Sequence, residues 1–485
     1  MTRRKFPAFA ILLVGACTVG PNYSHPATPV PPSYSEAHSI GGLSDAELGS
    51  WWRGFGDQTL DTLINRALAQ NLDVEAAASR IREARAEERA AGAAALPEVS
   101  ANGSVTRQRI SENAIPVPPV AGGGGGGGSF GLPGSEFTTW RAGFDASWEI
   151  DLFGKTRRSI EAARARTGAS IWNRRDVEVS TAAEVASAYL ELRMVQQQIG
   201  IATAEVERQQ RSEQLVRARV QGGLVTGQDL EQQSSELGTA AAAIPPLRAQ
   251  ANVQIHKIGV LTGDGPEALL ADLSPAGALP SLPEVPAGLP SDLLRRRPDI
   301  RAAERSLAAS SADIGVATAD LYPSFSLSAA PALVSTALAS LIEWGSRSFT
   351  AGASLDWPIF NGGRTRANIE AKNAKEAEAL IAYRKTILTA LQDVEDALVK
   401  IDNDRGGMRE LETALGSARR AEDIARDRYQ GGLVTFSDVL DAQAKRINLE
   451  NEVIEARGAE ALDTVALYKA LGGGWPDVVE AGAQK

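Results

Sequence analysis

The chain has 485 residues, with 50 basic against 60 acidic side chains and a net charge of −10. That balance argues against nucleic acid as a partner, because neutralising phosphates needs a basic surface. Aromatics are scarce at 5 % and Ala is abundant, which suits long helices in close contact better than a large globular core.

Residues 1–16 read as a signal peptide. Arg3-Arg4-Lys5 form a basic start, Phe6–Leu13 an apolar run, and Val14-Gly15-Ala16 a small-residue stretch before a cleavage point. The run is too short to span a bilayer. Cys17 is the sole cysteine, so no intrachain disulfide is possible although export implies an oxidising compartment. Small residues before a lone Cys resemble a bacterial lipobox, whose cysteine is lipidated (palmitate among its acyl chains) after cleavage; Val14 stands where such motifs usually carry Leu. Without the leader's three cations the mature balance is 47 against 60. Residues 17–50 then form a lipidated, extended N-terminal segment, Pro- and Ser-rich over Pro21–Ser35.

A first repeat is expected over 51–262. A short amphipathic helix lies within Ala46–Ala69, carried by Leu60, Leu63, Ile64, Ala67 and Leu68. Asn71-Leu72-Asp73-Val74 then opens an Ala-rich helix that stops near Leu96-Pro97. Beyond that proline the period changes from helical to two. Val99, Ala101, Gly103 and Val105 alternate with polar residues, as do Trp140, Ala142, Phe144, Ala146, Trp148 and Ile150. Strands are expected at about 99–109 and 138–151, separated by the Pro/Gly tract Ile115–Gly134, a flexible exposed loop. Gly154 to Val220 then reads as one long helix, about 100 Å at 1.5 Å per residue. It stops at Gln221-Gly222-Gly223, and Thr226 opens a return helix over Gln228–Leu261.

After a linker at 263–290 the pattern recurs over 291–472, followed by a tail at 473–485. Asp299 stands 226 positions after Asp73, and Pro323 likewise after Pro97. Strands are expected at about 323–334 and 349–360, a long helix from Gly363 to Tyr429, and a return helix over Ser437–Leu471. The second tip matches the first at an offset of 209: Gly222–Thr226 equals Gly431–Thr435 residue for residue. Each copy is the tip of a helical hairpin, closed by a Gly pair and reopened by a Thr with an Asp three residues on.

Strands of nine to eleven residues, apolar on one face and bounded by aromatics, have the length and pattern of transmembrane β-strands. Strands in lipid must close into a barrel, and about eight is the smallest usual number. With four per chain, closure requires an oligomer. No paired ligands accompany His25, His38 or His256, and Gly154-Lys155-Thr156 lacks the earlier glycine of a phosphate loop because Glu149 stands there. No nucleophile–base arrangement stands out. Neither a cofactor nor an enzyme is expected.

Cys17-Thr18-Val19-Gly20-Pro21-Asn22-Tyr23, Asp151-Leu152-Phe153-Gly154, Arg296-Arg297-Pro298-Asp299-Ile300, Trp357-Pro358-Ile359-Phe360, Asp438-Val439-Leu440-Asp441-Ala442-Gln443 and Leu467–Trp475 follow in that order. In this order they resemble the TolC-like outer-membrane efflux factors, in the lipoprotein (OprM- or NodT-like) branch, along nearly the whole mature chain. The resemblance implies a mainly α fold with a transmembrane β-barrel: a homotrimer with twelve strands, a helical tunnel across the periplasm, and an equatorial belt of small elements. It implies an outer-membrane, lipid-anchored location, contact with outer-membrane lipid, a periplasmic adaptor (membrane fusion protein) and an inner-membrane pump of RND type. The function implied is passive conduction of drugs or other small molecules to the exterior. Carried over by residue, Asp438 and Asp441 match the acidic pair of the periplasmic aperture, and Tyr429 a tyrosine of closure. Val434 replaces a basic residue that locks the gate in some members. Gly222, Gly223, Leu224, Val225 and Thr226, with Gly431, Gly432, Leu433, Val434 and Thr435, are the adaptor-contacting candidates. Only the second tip continues Asp-Val-Leu-Asp, so the second hairpin is expected to move on opening and the first to stay as frame. Two other readings are a duct for secreted proteins or oligosaccharides on the same fold, and a periplasmic coiled-coil scaffold without a barrel.

Overall fold

The computed structural model describes residues 18–36, 44–111, 136–283, 288 and 290–475. Cys17, the signal peptide, nearly all of the tail and the whole Ile115–Gly134 tract lie outside the described residues. The elements are α1 (Asp45–Gly49), a 3₁₀ turn (Trp51–Phe55), α2 (Gln58–Gln70), α3 (Leu72–Ala93), β1 (Glu98–Arg109), β2 (Glu136–Ile150), α4 (Lys155–Gln221), α5 (Gly227–Ala242), α6 (Ile244–Leu261) and α7 (Leu270–Leu273). Then come α8 (Pro290–Arg296), α9 (Pro298–Ala319), β3 (Ser324–Ser335), two 3₁₀ turns, β4 (Arg347–Asp356), α10 (Arg364–Gln430) and α11 (Phe436–Ala470). The two long helices, α4 and α10, are both 67 residues, over stretches that contain no proline. By contact the chain divides into two units, one of residues 1–24, 84–167 and 306–379, the other of 25–83, 168–305 and 380–485.

The first unit holds the sheet, antiparallel in the order β1-β2-β3-β4, with the outer edges of β1 and β4 unpaired among the described residues. Its register keeps each face chemically uniform. Val99, Ala101 and Val105 sit opposite Ala146, Phe144 and Trp140, and Trp148 sits opposite Leu327. Phe325 faces Leu355, and Ala329 faces Ala351. Between Gly143↔Ala332 and Ala146↔Ala329 the β2–β3 ladder lapses, at the level of Pro331, which brings no N–H. Most of this apolar face is solvent-open in one chain: Val99, Phe144, Phe349 and Leu355 are all exposed. The halves repeat in detail. Trp148 Nε1 donates to Ala95 O at 3.0 Å, and Trp357 Nε1 to Leu321 O at 3.1 Å, each the carbonyl two residues before the conserved-in-repeat Pro97 or Pro323. Alongside, α3 lies against α4 (Arg164–Glu88, 3.2 Å), while α9 contacts α4 (Arg166–Asp313, 2.6 Å) and α10 through Ser311–Glu376.

The second unit holds the main apolar core. Trp51, Trp52 and Phe55 of the 3₁₀ turn join Leu60 and Ile64 of α2, Val185, Tyr189 and Leu192 of α4, Ile255 and Ile258 of α6, Tyr383 and Val394 of α10, and Val465 and Tyr468 of α11. Arg297 ties this core's edge by donating to Asp299, to Asp393 at 2.7 Å and to Ala470 O at 3.3 Å.

Two expectations need correction. The last strand stops at Asp356 instead of continuing to 360; Pro358 cannot donate to a ladder, and Ile359 and Phe360 leave it almost fully exposed. The first return helix is two helices, α5 and α6, parted at Ala243. Pro245 and Pro246 fall in the first turn of α6, where a missing N–H costs least. The strand ends elsewhere move by one or two residues.

Candidate functional site

The two hairpin tips are built alike. The residue pairs Gly222-Gly223 and Gly431-Gly432 end α4 and α10, with Gly223 and Gly432 both at φ +70°, the left-handed region open to glycine. Gly223 N–H donates to Val220 O (3.0 Å) and Leu224 N–H to Arg219 O (2.9 Å). Gly432 donates to Tyr429 O (3.0 Å) and Leu433 to Arg428 O (2.9 Å). These are Schellman closures that satisfy the last carbonyls of each helix.

Each return helix opens on its threonine. Thr435 N–H and Oγ1–H donate to Asp438 Oδ2 at 2.8 and 2.6 Å, and Asp438 N–H returns to Thr435 Oγ1 at 3.4 Å. In the first tip Thr226 N–H donates to Asp229 Oδ2 at 3.2 Å. The Leu-Val that the turns do not require divides into two roles. Leu224 and Leu433 are 76 and 77 % exposed, two equivalent apolar knobs, whereas Val225 packs inward.

Both tips share one cluster. Val216, Phe436 and Val439 are buried, with Val220, Val225, Leu230, Tyr429 and Leu440 against them. The Tyr429 ring lies 5.2 Å from that of Phe436, and the Arg219 guanidinium stands 5.3 Å from the Tyr429 centroid, a cation–π contact between the hairpins. The Tyr429 hydroxyl is buried with no hydrogen-bond partner among the described residues. Asp438 and Asp441 are exposed on the face of α11 opposite Phe436 and Val439. Hydrogen bonds from the Thr435 hydroxyl and backbone hold the Asp438 carboxyl below its ordinary value, so it stays anionic through the neutral range.

Behind the tips lies a buried polar layer that sequence reasoning missed. Arg446 of α11, 7 % exposed, donates to Glu205 of α4 at 2.8 Å, to Glu450 at 2.6 Å and to Glu422 of α10. Gln233 of α5, fully buried, donates to Gln209, which in turn contacts Gln443 at 3.3 Å. Burial works to raise the Glu205 pKa, but hydrogen bonds from Arg208 and Gln209, the Arg208 charge and Arg446 outweigh it and leave it lowered. The available signal was polar side chains at seam positions. Between this layer and the main core, Asp404 of α10 faces Asp463 of α11; burial, then the neighbouring carboxylate, raises the Asp404 pKa. Among the described residues no cluster of His, Cys, Asp and Glu could hold a metal ion, and no helix is long and apolar enough to cross a membrane.

With that geometry established, similarity to known proteins becomes informative. The family model described as "Outer membrane efflux protein" matches residues 63–263 and 289–473, in tandem. The chain is 35 % identical over 476 residues to the pyoverdine export outer membrane protein OpmQ of Pseudomonas aeruginosa, covering 96 % of each chain. It is 31 % identical over 472 residues to nodulation protein T of Rhizobium leguminosarum bv. viciae, covering 96 % of this chain and 92 % of that one. Among solved structures, the outer-membrane channel OprN superposes with a TM-score of 0.86 at 32 % identity, over 95 % of this chain and all of the other.

Proposed function

This chain belongs to the outer membrane efflux protein family, and from that premise we propose that three copies form the outer-membrane duct of a tripartite efflux system. Its role is that of an outer-membrane efflux channel, not an enzyme. The observation that carries the oligomer is the sheet: four antiparallel strands, apolar on one face, with both edges unpaired among the described residues. Unpaired edges in lipid leave backbone groups unsatisfied, and three copies supply twelve strands, within the usual barrel range of about eight upward. Helices of 67 residues reach about 100 Å each, enough to serve as periplasmic ducting.

In this reading Cys17 is the lipidated N-terminus after removal of 1–16, and the anchor holds the mature chain to the outer membrane. The hairpin tips are the adaptor-facing end. Leu224 and Leu433 offer six apolar knobs per trimer to a periplasmic adaptor, which links the duct to an inner-membrane pump of RND type. Asp438 and Asp441, three residues apart on one helix face, bring six carboxylates to the aperture. Such a ring attracts cations and resists tight closure by its own repulsion. The cargo is of the small-molecule class. Detergent extraction of outer-membrane fractions and sizing test the assembly: a trimer that forms pores in planar bilayers is expected, and a soluble monomer would remove the channel reading. Cys17→Ser should abolish palmitate labelling; persistent labelling would refute the anchor.

A further inference from the structure

We infer that residues Thr18–Asn22 form a strap clamped by Arg158 in a built cradle, and that this clamp fixes where the described chain begins, at Thr18, against the fold. The inference deepens the lipid-anchor reading above and rests on it only for the fate of Cys17.

Arg158 lies in the first turn of α4, immediately after β2 and the Leu152-Phe153-Gly154 corner. Its side chain is 3 % exposed. A guanidinium so covered must have its donors answered, and three of its acceptors belong to the strap. Nε donates to Val19 O at 3.2 Å, and Nη2 to Gly20 O at 3.4 Å and Asn22 Oδ1 at 2.6 Å. Nη1 takes Glu161 at 2.8 Å. Val19 N–H donates to Phe153 O at 3.1 Å, adding a main-chain bond that does not depend on Arg158.

The walls are glycines at close approach. Gly20 sits at φ +87°, and a Cβ there would come within 2.5 Å of Gly315 Cα. A Cβ on Gly154, at φ +86°, would meet Thr18 at 2.8 Å, and one on Gly315 would meet the Arg158 stem at 2.8 Å. Three separated parts of the sequence thus leave room for one another, and the room is filled by the strap. Its outer side is solvent-exposed at Thr18, Gly20 and Asn22, so apolar burial does not hold it. The fork of Arg158 does. A lysine, with one ammonium, cannot span three acceptors at these separations.

Thr18 rests on Gly154, four residues beyond the end of β2, beside the stacked rings of Phe153 and Tyr322, 4.8 Å apart. Aromatic residues at strand ends mark the membrane–water boundary in outer-membrane barrels. The strap therefore ends, at Thr18, at the level where an acyl anchor enters the inner face of the bilayer.

The test places a nitroxide at Ser24→Cys, an exposed position just past the strap, in the purified acylated trimer, where native Cys17 is blocked. An immobilised spectrum is expected for the parent. Arg158→Met, Arg158→Lys and Gly20→Ala should each give a fast-motion spectrum and a rise of about tenfold or more in proteolytic cleavage of the segment, with pore conductance unchanged. Gly20→Ala changes no helix residue and pushes the strap off Gly315 from the strap's side, so it decides the matter if an Arg158 variant fails to fold. Equal mobility in the parent and Gly20→Ala would overturn the clamp. Palmitate on Cys17 is measured in the same samples: its absence with an immobilised strap sinks the anchor reading and leaves the clamp standing.

Discussion

The two hairpins carry nearly the same tip and differ behind it. Gly223 and Gly432 share one φ and one set of hydrogen bonds, yet the first return path is split into α5 and α6 while α11 runs unbroken for 35 residues. Arg446, which gathers three glutamates, has Leu237 at its place in the first repeat. Tip geometry is decided within about ten residues, by a Gly pair and a Thr–Asp box, so it survives duplication intact. The hairpin bodies answer to neighbours, and there the repeats part. One hairpin is interrupted and cradled through Gln233; the other is continuous, acid-tipped and pinned by a charge. Arg446 ties the second hairpin to α4 through Glu205, so any opening that moves this hairpin has to break a buried ion pair.

The two hairpins differ most at Arg446. Arg446→Ala strands Glu205, Glu422 and Glu450 together, and breaking a buried pair in this way costs about 3–5 kcal/mol; denaturant midpoints should register it, while Leu237→Ala in the first repeat should cost less. Next come Gly223→Ala and Gly432→Ala. Neither Cβ would meet another atom, so the cost is backbone strain alone, about 1–2 kcal/mol each. Equal losses at the two tips, read by amide exchange in the flanking turns, are expected; a clear inequality would mean the tips are not the same structure. Thr435→Val should cost about 1 kcal/mol as a lost cap, and Thr226→Val less, since only the second box is closed by both threonine donors.

The smallest effect is that of pH on the second hairpin. Asp404 has its pKa raised by burial beside Asp463, so its protonated form favours the fold. That contribution is complete below the ordinary aspartate value and is lost as pH climbs through the raised one. The α10–α11 pairing should thus tighten on mild acidification, and Asp404→Asn should flatten the response. Asp438 runs the other way: its pKa is lowered, so its cap is present above the ordinary value and lost as pH falls through the depressed one.

Much of this was legible in the sequence because it is local or periodic. Alternation gave the strands to within one or two residues, except where Pro358 cut β4 short. The Gly pairs and threonines announced both tips, and the offsets exposed the tandem repeat. Pro245-Pro246 is the local signal for the break in the first return path, since prolines are tolerated in a helix's first turn and not in its interior. What could not be read were contacts between distant segments. Arg446 stands at a seam position of α11, between Val439 and Leu449, but its partners are not local, and nothing local distinguishes Arg158 from its neighbour Arg157. Only the fold, by placing Glu205 against one and Val19 and Asn22 against the other, gives them their work.

On the function proposed above, the second tips form the acidic aperture of a trimeric channel. Single-channel conductance in planar bilayers, with a trivalent cation such as hexamminecobalt added on the tip side, tests it most directly. The parent trimer should be blocked, and Asp438→Asn with Asp441→Asn should move the half-blocking concentration sharply upward while leaving the pore open. Block at the same concentration in both would contradict it.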